Sequence, residues 1–177
     1  MTHFISDTAT PRKTTILVID DETAPRLMVI KTLRFKGYHV LETDNATQAI
    51  ELARAHRPDL VISDINLGEA DGYSILASLR AEPATATTPF ILMTGNSNRD
   101  GMRHGMELGA DDYLPKPFAP ETLFAAVEAR LRKQQAWQQP EQEQRSRLAK
   151  IAAAVPGIIF SFRLRPDGST CVPYASP

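Results

Sequence analysis

Leu60-Val61-Ile62-Ser63-Asp64-Ile65-Asn66 is the stretch on which the reading of this chain turns. An apolar run leads without alternation into a carboxylate, and a Gly/Asp-rich loop from Gly68 to Gly72 follows. A short continuous apolar run is the pattern of a strand buried on both faces, as in parallel sheets covered by helices. Asp64 stands where that strand runs out. Three other runs deliver polar groups at the same point. Ile16-Leu17-Val18-Ile19 leads into Asp20-Asp21-Glu22, Phe90-Ile91-Leu92-Met93 into Thr94-Gly95, and Asp112-Tyr113-Leu114 into Pro115-Lys116-Pro117. In an open parallel sheet, ligand sites form outside the carboxyl ends of the strands. The expected arrangement gathers Asp20, Asp21, Asp64, Thr94 and Lys116 around one pocket.

Between these runs the periodicity turns helical. Pro25 falls in the first turn of a helix, where its missing N–H costs nothing. Leu27, Ile30 and Leu33 are expected to share that helix's apolar face, and Gly37 to end it. Tyr38 to Thr43 reads as a second strand. Asn45 can cap the next helix, with Ala46, Ala49, Ile50 and Ala53 at i, i+3, i+4 and i+7, and Pro58 closes it. Asp71 caps a helix through Ile75, Leu76 and Leu79. The weakest helix is Ser97 to Leu108. Gly101 and Gly105 in its interior each cost about 1 kcal/mol relative to alanine. Packing through Met102, Met106 and Leu108 can hold it, and so marginal an element can also shift between two arrangements. A last helix carries Leu123, Val127 and Leu131. Five β-α units of this kind predict a flavodoxin-like (βα)5 doubly wound parallel sheet of strand order 2-1-3-4-5.

Residues 1–13 read as a flexible tail and 14–133 as the α/β domain. Residues 134–150 read as a Gln-rich linker of helical composition, in which Pro140 is expected to interrupt any continuous helix. From 151 to 177 a helix end is followed by Pro156-Gly157, a strand over Ile158 to Leu164, a turn at Arg165-Pro166-Asp167-Gly168 and a second strand from Ser169. A helix and one hairpin bury too little to form a core alone. These residues are therefore expected either to dock elsewhere or to begin a domain not completed by Pro177.

The 177 residues are 42% hydrophobic and 23% charged, as in soluble globular proteins. A net charge of −1 gives no electrostatic reason to expect nucleic acid or an anionic membrane as partner. The single cysteine, Cys171, excludes an internal disulfide. The N-terminus has no apolar run of signal-peptide length, and no run approaches about 18 apolar residues. A cytoplasmic protein is the expectation.

Three carboxylates converging on one point repel one another unless a cation sits among them. Oxygen ligands without a Cys or His cluster suit a hard cation, most simply Mg²⁺. Such an ion and the Lys116 ammonium together make a socket for a phosphoryl group, to which the Thr94 hydroxyl can donate a hydrogen bond. With no Ser or Cys nucleophile evident, a carboxylate is the natural acceptor.

The runs ILVIDDE, VISDINLGEADGY, Thr94-Gly95 and YLPKPF resemble the receiver domain of two-component response regulators. The intervals from Asp64 to Thr94 (30 residues) and from Asp64 to Lys116 (52 residues) fit that family as well. The resemblance implies that Asp64 accepts a phosphoryl group from the phosphohistidine of a histidine kinase or phosphotransfer protein. It implies that Asp21 ligates Mg²⁺ directly, Asp20 through water, and Asn66 through its backbone carbonyl. Thr94 and Tyr113 would follow the phosphoryl group as switch residues, and Lys116 would pair with it, oriented by a cis bond before Pro117.

Other readings stand beside these. Glu22 favours the following helix N-terminus, and Tyr113 can also be read as an edge-strand aromatic. Asn66 and Asn96 either position an attacking water or simply form turns. The segment VPGIIFSFRLRPDGSTCVPYASP resembles the opening of a PAS sensor domain, which would make the chain the front part of a longer signalling protein. Its effector would then be a histidine kinase or a cyclic-dinucleotide enzyme. The competing function is a phosphorylation-independent scaffold, with the fourth-helix face and the last helix as surfaces for a homodimer. A hydrolase with an aspartyl nucleophile would need a separate general acid/base, and no residue is spaced for one.

Overall fold

The chain forms one five-stranded parallel sheet whose three central strands are buried on both faces, and helices carry the return paths. The computed structural model describes residues 12–68, 70–95, 99–154, 160–164 and 170–175. In chain order the elements are β1 (Thr15–Ile19), α1 (Thr23–Phe35), β2 (His39–Thr43), α2 (Ala46–His56) and β3 (Leu60–Asp64). A two-residue hairpin follows, β4 (Asn66–Leu67) and β5 (Ala70–Asp71), then α3 (Gly72–Ala81), β6 (Phe90–Thr94), α4 (Arg99–Glu107) and β7 (Asp112–Pro115). The chain closes with α5 (Pro120–Ala154), β8 (Phe160–Leu164) and β9 (Thr170–Ala175). The sheet order is β2-β1-β3-β6-β7, all pairs parallel, which is 2-1-3-4-5 once the small hairpin is left out of the count.

Strand side chains alternate between two cores, as a period of two demands. Ile16, Val18, Leu60, Ile62, Ile91 and Met93 point to the side covered by α1 and α5, where they meet Val29, Ile30, Leu33, Leu123, Val127 and Leu131. Leu17, Ile19, Val61, Phe90 and Leu92 point to the other side, against Ala49 and Ala53 of α2 and Ile75, Leu76 and Leu79 of α3. The helix ends follow their local chemistry. The side chains of Asn45 and Asp71 accept the backbone N–H groups of Gln48 and Ser74 at 3.1 and 2.7 Å, and Gly37 takes the left-handed φ of +87° after α1.

Three expectations fail. Leu27 is 41% exposed, and Val29 takes the buried place with Ile30 and Leu33, because α1 is turned so that Leu27 faces away from the sheet. Met106 is 57% exposed, so α4 is not held by that side chain. Pro140 does not interrupt the helix, since α5 runs from Pro120 to Ala154. A proline removes one i→i−4 hydrogen bond and crowds the preceding turn, which costs about 3 kcal/mol. The surrounding Gln, Glu, Arg and Ala residues are good helix formers, and the helix continues through the proline.

The chain divides into two compact units, Met1–Arg132 and Lys133–Pro177. Within the second, β8 and β9 pair antiparallel, Phe160 opposite Ala175 and Leu164 opposite Thr170. The expected flexible tail lies outside the described residues up to position 11, and so does the turn at 165–169. No helix among the described residues is long and apolar enough to cross a membrane.

At the amino-terminal end of β6, Arg80 fastens two loops, the one from α3 to β6 and the one from α4 to β7. Its guanidinium donates to the carbonyls of Ala86 (3.0 Å), Thr88 (2.8 Å) and Gly109 (3.1 and 2.9 Å) and to the Asp111 carboxylate (3.0 Å). Asp111 also accepts the Phe90 N–H at 2.9 Å. Burial pushes the guanidinium pKa down, against the opposing pull of Asp111. Arg80→Met strands these acceptors, and a loss of about 2–3 kcal/mol is expected in urea denaturation. An unchanged midpoint would show that water replaces the arginine without cost.

Candidate functional site

The parallel register brings the polar residue after each apolar run to the same edge. Asp20 follows β1 and is fully buried, while Asp64 and Thr94 close β3 and β6 at 5% and 4% exposure. Thr94 stands opposite Pro115, and the Lys116 N–H donates to the Thr94 carbonyl at 2.7 Å. Lys116 is thereby carried over the carboxylates. Its Nζ donates to Asp20 Oδ2 at 2.8 Å and to Asp64 Oδ2 at 2.6 Å, across 96 and 52 residues of sequence. The Lys116–Pro117 peptide bond is cis.

One carboxylate oxygen from each of Asp20, Asp21 and Asp64 lies within 4.8 Å of the others. The remaining bonds orient the group. Asp20 Oδ1 accepts the Glu22 N–H at 2.9 Å, and Asp64 Oδ1 accepts the Asn66 N–H at 3.3 Å. Asp21 is exposed, so its carboxylate meets solvent. Burial acts to lower the Lys116 pKa, but the hydrogen bonds and charges of Asp20 and Asp64 outweigh it, and the net shift is upward. One ammonium against three carboxylates leaves two formal negative charges in an all-oxygen site. That charge and donor set fit a hard divalent cation.

Two glycines let backbone come close to the site. A Cβ on Gly72 would collide with the Asp64 carbonyl and lie 3.0 Å from Leu92 Cδ2, so α3 can begin directly against β3 only with glycine there. The Gly72 N–H donates to Ile65 at 2.8 Å. A Cβ on Gly105 would collide with the Tyr113 hydroxyl and lie 2.8 Å from Tyr73 Cε1. The glycines of α4 therefore have a packing role. Tyr73 and Tyr113 both donate to the Gly101 carbonyl, at 2.9 and 3.4 Å, and the Tyr73 ring meets His104 edge-on at 5.2 Å. Burial first, then the neighbouring Tyr73, pushes the Tyr113 pKa up.

Asp20, Asp21, Asp64, Asn66, Thr94 and Lys116 are thus gathered at one edge, with Tyr113 under α4 beside them. Asn96 lies outside the described residues. Sequence reasoning missed Tyr73, although the Gly72-Tyr73 pair directly after the Asp71 cap was a place to look. It also missed Arg26, whose Nη1 donates to the Asp20 carbonyl at 2.5 Å. No sequence interval marks that contact.

The family model for the response regulator receiver domain matches residues 16–128. This chain belongs to that family. The receiver is 37% identical over 119 residues to the phosphate regulon transcriptional regulatory protein PhoB of Pseudomonas aeruginosa, covering 67% of this chain and 52% of that protein. The chain spans about half the length of the curated relatives it matches. Among solved structures, the chemotaxis protein CheY4 of Vibrio cholerae is similar at 30% identity and a TM-score of 0.65, covering 67% of this chain and 98% of that one. The receiver domain of the sensor histidine kinase PA1611 of Pseudomonas aeruginosa, solved with a magnesium ion coordinated in the active-site cleft, is similar at 28% identity and a TM-score of 0.63. It covers 68% of this chain and 98% of that one. Receivers take phosphoryl groups from histidine kinases or phosphotransfer proteins and bind Mg²⁺ at an acidic pocket, and a cluster of Asp20, Asp21 and Asp64 is present here.

Proposed function

We propose that this receiver is a working phosphoacceptor switch, with Asp64 as the acceptor. The observation that carries the reading is the Lys116 ammonium 2.6 Å from Asp64 and 2.8 Å from Asp20, beside a three-carboxylate cluster. A phosphorylation-independent scaffold would need neither group. An Asp64 oxygen forms the new bond to phosphorus as the bond to the donor's imidazole nitrogen breaks, and that nitrogen leaves with the electron pair. Asp21 and Asp64 would hold Mg²⁺ directly, Asp20 through water and Asn66 through its backbone carbonyl. When bound, Mg²⁺ supplies charge neutralisation at the phosphoryl oxygens. Lys116 pairs with one phosphoryl oxygen and the Thr94 hydroxyl with another. Tyr113 then repacks beneath α4, and the altered α4 face is the output.

The same reading assigns a phosphohistidine-bearing kinase or phosphotransfer protein as partner, a cytoplasmic location, and a homodimer as one form of output. For the residues after 150 we propose the start of a PAS-like domain of a longer protein. Its support is the PAS-like sequence together with an antiparallel hairpin at β8 and β9.

Binding of beryllium trifluoride, a phosphoryl mimic, tests the switch. In Mg²⁺ it is expected to bind saturably and to shift the amide resonances of Asp64, Thr94, Tyr113 and α4, and chelation of the metal to reverse the shifts. Absence of binding in Mg²⁺ would leave the scaffold as the better account.

A further inference from the structure

Arg26 lies in α1, six residues beyond Asp20, with a side chain only 13% exposed. The phosphoryl chemistry above makes no use of it. Its Nη1 donates to the Asp20 main-chain carbonyl at 2.5 Å. Its Nε lies 3.8 Å from Glu42 Oε2, and its Nη2 lies 4.0 Å from Asp44 Oδ2. Glu42 belongs to β2, and Asp44 follows that strand directly. One planar fork therefore ties the end of β1 to the end of β2.

The gripped oxygen matters because of the peptide it belongs to. The Asp20 carbonyl and the Asp21 nitrogen share one rigid plane. Holding that oxygen restrains rotation of the plane, and with it the place of the Asp21 nitrogen and Cα. The other atoms of Asp20 are already committed: its N–H to the Thr43 carbonyl at 3.3 Å, Oδ1 to the Glu22 N–H, and Oδ2 to Lys116. Asp21, by contrast, is exposed. The Arg26 grip is what orients its peptide.

We infer that Arg26 is a positioning residue for the acidic pocket, holding the Asp20–Asp21 peptide so that Asp21 is placed beside Asp20 and Asp64. The inference rests on reading the pocket as a Mg²⁺-dependent phosphoryl site. Charge and geometry act with opposite sign here. A cation behind the pocket repels Mg²⁺, so an arginine acting by charge would strengthen metal binding when removed. Glu42 and Asp44 balance the guanidinium on its outer side, so the geometric effect dominates and removal weakens binding.

The test is a Mg²⁺ titration of the full chain followed by amide shifts, for wild type, Arg26→Met and Arg26→Lys, well below each protein's Tm. Arg26→Met is expected to weaken Mg²⁺ binding about tenfold, as losses behind metal ligands do. Arg26→Lys keeps the charge and one donor, and a loss of about threefold is expected. A merely structural role would lower Tm and leave the metal affinity of the folded protein alone. Unchanged or tighter Mg²⁺ binding by folded Arg26→Met overturns the inference, and wild-type affinity in Arg26→Lys does so if the methionine variant fails to fold. Lack of Mg²⁺-dependent shifts in wild type would instead remove the pocket reading itself.

Discussion

Asp64→Asn is expected to abolish phosphorylation by a phosphohistidine donor, with hydroxylamine-sensitive label falling at least about a hundredfold, because an oriented nucleophile is lost. The fold should survive. The amide occupies nearly the same volume, and Lys116 keeps its 2.8 Å partner in Asp20. Removing one of three clustered carboxylates also relieves repulsion in the metal-free protein, so its Tm should hold or rise slightly while the Mg²⁺-induced rise in Tm shrinks. The neighbouring Asp20 is a poor substitute. The Asp20 side chain is fully buried whereas that of Asp64 is 7% exposed, so a phosphoryl donor reaches Asp20 less easily. Label of wild-type intensity in the variant would move the acceptor elsewhere.

Lys116→Met carries the largest expected effect on stability. It strips the ammonium from Asp20, whose side chain is fully buried, and from Asp64, whose side chain is 7% exposed. Breaking a buried ion pair costs about 3–5 kcal/mol, and the low end applies because Lys116 is itself 19% exposed. A cation among the same carboxylates compensates, so Mg²⁺ should raise the stability of the variant by more than that of wild type. Urea denaturation with chelator and with Mg²⁺ measures both, and equal Mg²⁺ gains would separate the lysine from the metal site. The pH dependence has a definite sign. The folded-state pKa of Lys116 is raised above its ordinary value, so its contribution is whole below about pH 10.4 and is lost as pH climbs through the folded-state value. Wild type should lose stability in that alkaline range, and Lys116→Met should lack that part of the slope.

Much of this was legible in the chain because it depends on periods and intervals. Ile16 to Ile19, Leu60 to Ile62 and Phe90 to Met93 are unbroken apolar runs, which only a sheet covered on both faces accommodates. Asn45 and Asp71 cap helices through their own side chains. Where the reading slipped, the competing effect was tertiary. The period of α1 admits a seam through Leu27 or through Val29, and only the docking angle against β1 and α5 chooses. Gly101 and Gly105 looked like weak points of a helix because propensity ignores what lies opposite. In the fold they are the clearance that Tyr73 and Tyr113 require. Pro140 has a definite local cost, but local cost alone does not decide whether the helix continues through it.

The amino-acid sequence by itself determined the sheet, its order, and the set Asp20, Asp21, Asp64, Thr94 and Lys116, because a parallel strand must deliver its last residue to the same edge as its neighbours. Only the tertiary structure decided how those groups are held: Lys116 shared between two carboxylates, Gly72 against the Asp64 backbone, two tyrosines on one α4 carbonyl, and Arg26 on the peptide between Asp20 and Asp21. Each of these joins residues from different elements, or fixes a dihedral between neighbours. Their energies depend on distances of a few tenths of an ångström, which packing sets and residue spacing does not encode.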